Sequence, residues 1–199
     1  TAKSYIDWRY LMKERIRVGL IGCGGIVRRR HLPAMRMLKS AGLDSFEVAA
    51  CCDVAEPSAQ AAAAYAREHL GSNPAVYRDW QEMLAKAGVQ AVDICLPHGM
   101  HHTVGIGCLE AGLHALMEKP LAVSVKTGRA LAQAADRTGR ILAIAVPFRR
   151  APGQRAVRWA INDAKLIGDV RTFFHNYSLW RPPSAPVQAA AATYDWRRD

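Results

Sequence analysis

An α/β fold of the doubly wound kind, built on a parallel sheet, is what this 199-residue chain predicts. Three observations carry the prediction. Short apolar runs alternate with stretches of helical periodicity, the signature of repeated β-α-β units. A glycine-rich turn, Gly22-Cys23-Gly24-Gly25, follows the first apolar run and opens a helix. Glu118-Lys119-Pro120 then closes a later run, so a lysine stands at the carboxyl end of a strand, the edge on which such sheets meet their ligands.

Taken in order, Arg15–Ile21 reads as the first strand, ending in the glycine turn. The helix after it carries Ile26, Leu32, Met35 and Leu38 on its apolar face, and Pro33 inside it predicts a kink. Phe46–Cys52 is the second strand, closed by Asp53. An alanine-rich helix spans Pro57 to His69, with proline in the first turn and Gly71 as the stop. Val76-Tyr77 is a short third strand. Asp79 starts the next helix, with Glu82 three residues on in a capping-box pattern. Ala91–Leu96 is the fourth strand, broken by Pro97, and a helix from Thr103 to Glu110 stops at Gly112. His114–Met117 is the fifth strand. Ser124 caps a helix that ends at Gly139, and Ile141–Val146 is the sixth strand. Six strands with crossover helices and a glycine turn after the first make a Rossmann-type sheet.

The pattern changes after Phe148. A helix is predicted from Arg155 to Ala164, closed by a turn at Gly168. Val170–Leu179 alternates as one long strand would, and a proline- and alanine-rich loop follows. One helix and one strand enclose no core of their own. The expected domains are therefore an extension over 1–14, a nucleotide-binding domain over 15–147, and over 148–199 the beginning of a second domain truncated at Asp199.

Composition excludes several classes. Half the residues are hydrophobic and 22% are charged, enough for a sizeable core. No apolar run reaches the length of a membrane span, and the N-terminal segment has no signal-peptide core. The net charge is +10, but the one dense cluster, Arg28-Arg29-Arg30, falls on a predicted helix, where successive side chains diverge by about 100°. A solvated basic surface is expected, with neither nucleic acid nor membrane as partner. The five cysteines show no metal-like or redox spacing, so small buried hydrophobes in a reducing, cytoplasmic compartment are the reading.

Gly22 permits a tight turn, and Gly24 lets backbone amides approach a pyrophosphate at the helix N-terminus. The third small position of the usual pattern is Val27, which predicts looser helix–strand packing. Asp53 ends the second strand 31 residues after Gly22, where a carboxylate can accept ribose hydroxyls and would repel a 2′-phosphate. That favours NAD, with NADP still possible; an acidic helix cap is the plainer alternative. Pro97-His98-Gly99-Met100-His101-His102 holds three histidines, yet no carboxylate or cysteine completes a metal set, so no metal is expected and a lining role in the cofactor crevice is preferred. Lys119 is either a solvated lysine or an ammonium placed to polarise a substrate oxygen, aimed by Pro120 if the preceding peptide is cis.

These motifs together resemble the glucose-fructose oxidoreductase / inositol dehydrogenase / MocA family. The resemblance rests on Val18–Ile26 with His31, on Asp53, on Val92–Pro97 leading to His101, on Ala111–Leu121, and on Arg149, Pro152 and Gly168-Asp169-Val170. It implies a second domain with a largely antiparallel sheet that covers the nicotinamide and often forms an oligomer interface. It also implies Lys119 as the catalytic, substrate-contacting lysine. The cofactor-binding set is Gly22, Gly24, Gly25, Ile26, Asp53, Pro97, His98, His101 and Glu118. The family's further acid/base histidine would lie beyond Asp199. Val27, and His98 where an asparagine is usual, depart from the pattern.

The expected activity is hydride transfer between NAD(P) and a hydroxyl-bearing carbon of a sugar, cyclitol or related polyol, by a homo-oligomer when complete. The 199-residue chain by itself is expected to be inactive. The alternatives are an NAD-dependent glycoside hydrolase of the same fold and a non-catalytic nucleotide-binding protein.

Overall fold

The computed structural model describes residues 15–174 and residue 176. Six strands form one sheet: β1 (Ile16–Ile21), β2 (Phe46–Cys52), β3 (Ala75–Tyr77), β4 (Ala91–Ile94), β5 (His114–Glu118) and β6 (Leu142–Ala145). Their order is β3-β2-β1-β4-β5-β6, and every neighbouring pair is parallel. This is the Rossmann order, in which the strand sequence reverses beside β1 and leaves a crevice at the carboxyl ends of β1 and β4.

The helices are α1 (Leu32–Ser40), α2 (Glu56–Leu70), α3 (Trp80–Lys86), α4 (His101–Glu110), α5 (Val125–Thr138) and, past the sheet, α6 (Pro152–Arg158). Local chemistry sets their ends. Asp79 Oδ1 accepts the Glu82 N–H at 2.8 Å at the start of α3, and Ser124 Oγ accepts the Thr127 N–H at 3.2 Å at the start of α5. Glu82 does not return the capping-box bond; its carboxylate pairs with Lys86 at 2.7 Å, one turn on. Gly71 and Gly139 end α2 and α5 in the left-handed conformation.

Adjacent residues of a strand face opposite sides of a sheet, and the core divides accordingly. Leu20 packs with Cys23, Val27, Leu32, Val48, Cys51 and the alanines of α2. Its neighbour Ile21 packs with Met83, Val92, Ile94, Leu109, Met117 and Leu131. The sheet is thus covered on both faces, which explains why its strands read as continuous apolar runs.

Two expectations about the first helix are revised. Helical structure starts at residue 25, but Val27–His31 is a π turn, in which the Leu32 N–H donates to the Val27 carbonyl five residues back. In an α-helix Val27 and Leu32 would point about 140° apart; here both are fully buried in one cluster. Val27 therefore packs, against cysteine and alanine, and Ile26 and Leu38 are the exposed ones. Pro33 falls in the first turn of α1, directly after the wide turn. Its missing N–H interrupts no regular α turn there, so a change of helix type stands where a kink was expected.

Three strands are shorter than predicted, β1 starting at Ile16, β4 ending at Ile94 and β6 running only from Leu142 to Ala145. Pairing with the neighbour, which apolarity does not report, sets those ends.

The chain divides into two compact units between Ala145 and Val146. In the second, a 3-10 turn (Pro147–Arg150) precedes α6, and a π turn (Trp159–Asp163) follows it. The long strand expected from Val170 does not form over residues 170–174, since an extended segment becomes a strand only when a partner pairs with it. The rest of that expectation, the loop after it and the extension over 1–14 lie outside the described residues. Among the described residues no helix is long and apolar enough to cross a membrane.

Candidate functional site at the carboxyl edge of the sheet

The glycine turn is built tightly on its inner side and left open on its outer one. Gly22 has φ +85°, and a Cβ there would come within 2.3 Å of the Cys95 carbonyl oxygen. Its N–H donates to the Cys52 carbonyl at 2.8 Å, which locks the turn against β2. Around Gly24 no heavy atom lies within 4 Å of an added Cβ position. At Gly25 the atoms nearest an added Cβ belong to the Arg29 guanidinium, from 2.8 Å, so a cation lies against the turn.

Asp53 follows β2 directly and ties the turn in place. Its Oδ2 accepts the Cys23 N–H at 2.8 Å, and its Oδ1 accepts the Ala55 N–H at 2.9 Å. An ionised carboxylate has about four acceptor sites. Two remain for a ligand, so the local capping role and a ribose-binding role are compatible.

Beneath the turn lies a cluster that strand periodicity alone does not reveal. Asp93, in the middle of β4, is 1% exposed. A buried carboxylate needs a partner, and it has one in His31, which the π turn carries. His31 Nδ1 donates to Asp93 Oδ2 at 2.7 Å, and Nε2 donates to Glu118 Oε1 at 3.2 Å. The hydrogen bond to Asp93 raises the imidazole pKa; burial opposes this, and the Asp93 charge and Glu118 add to it, to about 9. His31 is therefore an imidazolium between two carboxylates at neutral pH. The Cys95 thiol lies 3.7 Å from Nδ1 and 3.9 Å from Nε2. Donor atoms of His31, Asp93 and Cys95 lie within 4.8 Å of one another, close enough to share an ion. Both ring nitrogens are, however, already committed to carboxylates. An isolated charge in the strand pattern Ala-Val-Asp-Ile was the one signal from which a partner for Asp93 could have been sought.

At the end of β5, Glu118 Oε2 accepts the Lys119 backbone N–H at 3.0 Å. The Lys119–Pro120 peptide is cis. The Lys119 side chain is exposed, with no carboxylate partner among the described residues. Pro97 and His98 are half-buried in the turn after β4. His101 is different: it is fully buried, and its ring nitrogens lie 2.7 Å from the Pro120 carbonyl and 2.9 Å from the Leu96 carbonyl. The lining role expected of it is corrected to one behind the surface, because both ring nitrogens are used in joining the loops that follow β4 and β5. His98 packs edge-on against its ring, with centroids 5.7 Å apart.

All five cysteines are free. Burial raises the thiol pKa of Cys52 and of Cys108 to about 12 and raises that of Cys95 further, while a hydrogen bond with Cys51 is the leading cause of the upward shift at Cys23. These four thiols stay protonated.

The sheet edge thus brings together Gly22, Gly24, Gly25, Ile26, Asp53, Pro97, His98, Glu118 and Lys119. An open glycine turn at a helix start and a carboxylate with spare acceptor sites fit a dinucleotide.

Comparison with known proteins agrees. A profile described as "Oxidoreductase family, NAD-binding Rossmann fold" matches residues 16–146. The D-apiose dehydrogenase of Paraburkholderia graminis is 32% identical over 154 residues, 77% of this chain and 38% of that protein. Among solved structures, the WlbA dehydrogenase of Bordetella pertussis, in complex with NADH and UDP-GlcNAcA, aligns with a TM-score of 0.67 at 28% identity, covering 77% of this chain and 41% of that one. KijD10, a 3-ketoreductase from Actinomadura kijaniata in complex with NADP and TDP-benzene, aligns at 0.61 and 30% identity, covering 75% and 43%. The chain spans less than half the length of these relatives. With this sheet order, glycine turn and profile match, the chain belongs to the Gfo/Idh/MocA oxidoreductases and carries their NAD-binding Rossmann fold.

Proposed function

We propose that the whole protein is an NAD(P)-dependent oxidoreductase acting on the CH-OH group of a sugar, cyclitol or related polyol. The observation that carries this reading is Lys119. Its ammonium is exposed, with no carboxylate partner among the described residues, at the carboxyl end of β5, on the edge that also holds the glycine turn and Asp53.

When bound, the nicotinamide supplies the hydride acceptor or donor. The chain's own residues do the rest. Gly22, Gly24 and Gly25 present backbone amides to the pyrophosphate, with Arg29 adding positive charge beside them and Ile26 covering the turn. Asp53 receives the ribose hydroxyls and disfavours a 2′-phosphate, so NAD is preferred. Pro97, His98 and Glu118 line the nicotinamide end, and His101 braces it from behind. Lys119 donates a hydrogen bond to the substrate oxygen and stabilises negative charge developing there.

Residues from 148 onward begin the second domain, which supplies most of the substrate pocket and the homo-oligomer interface; 1–14 is an extension. The free cysteines fit a reducing, cytoplasmic setting.

In the whole protein, Lys119→Ala should lower kcat about 100-fold or more while leaving NAD affinity near wild type. Measuring NADH formed with a panel of sugars and polyols, alongside NAD titrations, tests this. Unchanged turnover in the variant would remove Lys119 from the chemistry. Product formed without net NADH would point to a hydrolase instead.

A further inference from the structure

We propose that His31 is a positioning residue for Lys119, acting through Glu118. The inference rests on the reading of Lys119 as the substrate-contacting lysine.

Glu118 uses its two carboxylate oxygens on different partners. Oε1 receives His31 Nε2–H at 3.2 Å and Oε2 receives the Lys119 backbone N–H at 3.0 Å. His31 is itself anchored on Asp93 at 2.7 Å, a residue immobilised in the middle of β4. The π turn that carries His31 is fixed by Val27 and Leu32, both fully buried. A rigid path therefore runs from the core under the glycine turn, through an ion-paired ring, to the backbone of Lys119.

The charges show why this matters. The groups facing the ring are Asp93 from β4, Cys95 just past its end, and Glu118 from β5; Arg28, Arg29 and Arg30 on its own turn are exposed. Without His31, Glu118 would be a carboxylate with no cationic partner among the described residues, next in sequence to an exposed ammonium. One available relief is to pair with the ammonium of Lys119, whose backbone N–H Glu118 already holds. That would withdraw the lysine from a substrate oxygen and make its amine harder to deprotonate. His31 prevents the pairing by engaging Glu118 first.

The test is the reactivity of individual lysines, read by trace acetylation and mass spectrometry on the whole protein, with Lys126 as the exposed reference. His31→Gln should slow acetylation of Lys119 about 3-fold or more relative to Lys126, because an amine held in an ion pair stays protonated. The charge-balanced double variant Asp93→Asn with His31→Gln, which leaves no buried carboxylate unpaired at β4, should do the same. On a Glu118→Ala background His31→Gln should have no further effect. Once a substrate is in hand, His31→Gln should lower kcat about 10-fold at near-constant KM for NAD, and add little to the loss in Lys119→Ala, as coupled residues do.

Unchanged Lys119 reactivity in the folded double variant would overturn the proposal. So would an equal response on the Glu118→Ala background. Full activity in Lys119→Ala, with Lys119 reactivity still dependent on His31, would instead refute the role given to the lysine and leave the positioning link standing.

Discussion

Gly22 has almost no freedom to be anything but glycine. Its φ of +85° and the 2.3 Å approach to the Cys95 carbonyl leave no room for a side chain. Gly22→Ala should cost on the order of 3 kcal/mol from the backbone conformation and the clash together; thermal melts of the variant check it. His31 sets a pH dependence. Its folded pKa of about 9 exceeds the ordinary 6.5, so the stability it contributes is full below 6.5 and is lost as pH rises through 9. The difference is worth on the order of 3 kcal/mol. The melting temperature should fall between pH 6.5 and about 9, and His31→Gln should flatten that fall. The two residues differ in how legible they are. Gly22 is legible from the glycine motif around it, although the contact that excludes a side chain is with Cys95. His31 depends on Asp93 and Glu118, 62 and 87 residues away, and periodicity along a strand carries no information about such a pairing.

At the scale of elements, the strands and helices were readable because each announces itself locally: apolar runs for the strands, caps and left-handed stops for the helices. The Ser124 cap is an example, and Ser124→Ala should destabilise by about 1 kcal/mol in urea unfolding. The wide turn at Val27–His31 was not readable, since α and π turns draw on the same residue types. Its role is mechanical. By turning Val27 and Leu32 to one side it seats the helix on β1 and β2 and leaves His31 facing β4 and β5. The unformed strand after Val170 makes the complementary point: helices carry their own hydrogen bonds, but strands borrow them from a neighbour.

For the molecule as a whole, sheet order decides function more than composition does. The reversal beside β1 gathers residues spread from Gly22 to Lys119 onto one edge, while the net charge of +10 marks no single site. NAD and NADP should therefore be told apart by binding alone: at a ligand concentration of about 100 times Kd the stabilisation is about 2.7 kcal/mol. A thermal shift larger with NAD than with NADP at equal concentrations is expected from Asp53, and the reverse order would contradict its proposed role. The cysteines carry a practical consequence. With all five free, four of them buried and the fifth shielded beside Asp93, the wild-type chain is nearly silent toward thiol reagents. A cysteine introduced at exposed Lys126 would then take up a fluorophore or spin label almost alone, making the native scaffold a ready ruler for motion near the start of α5 without deleting any of its own thiols.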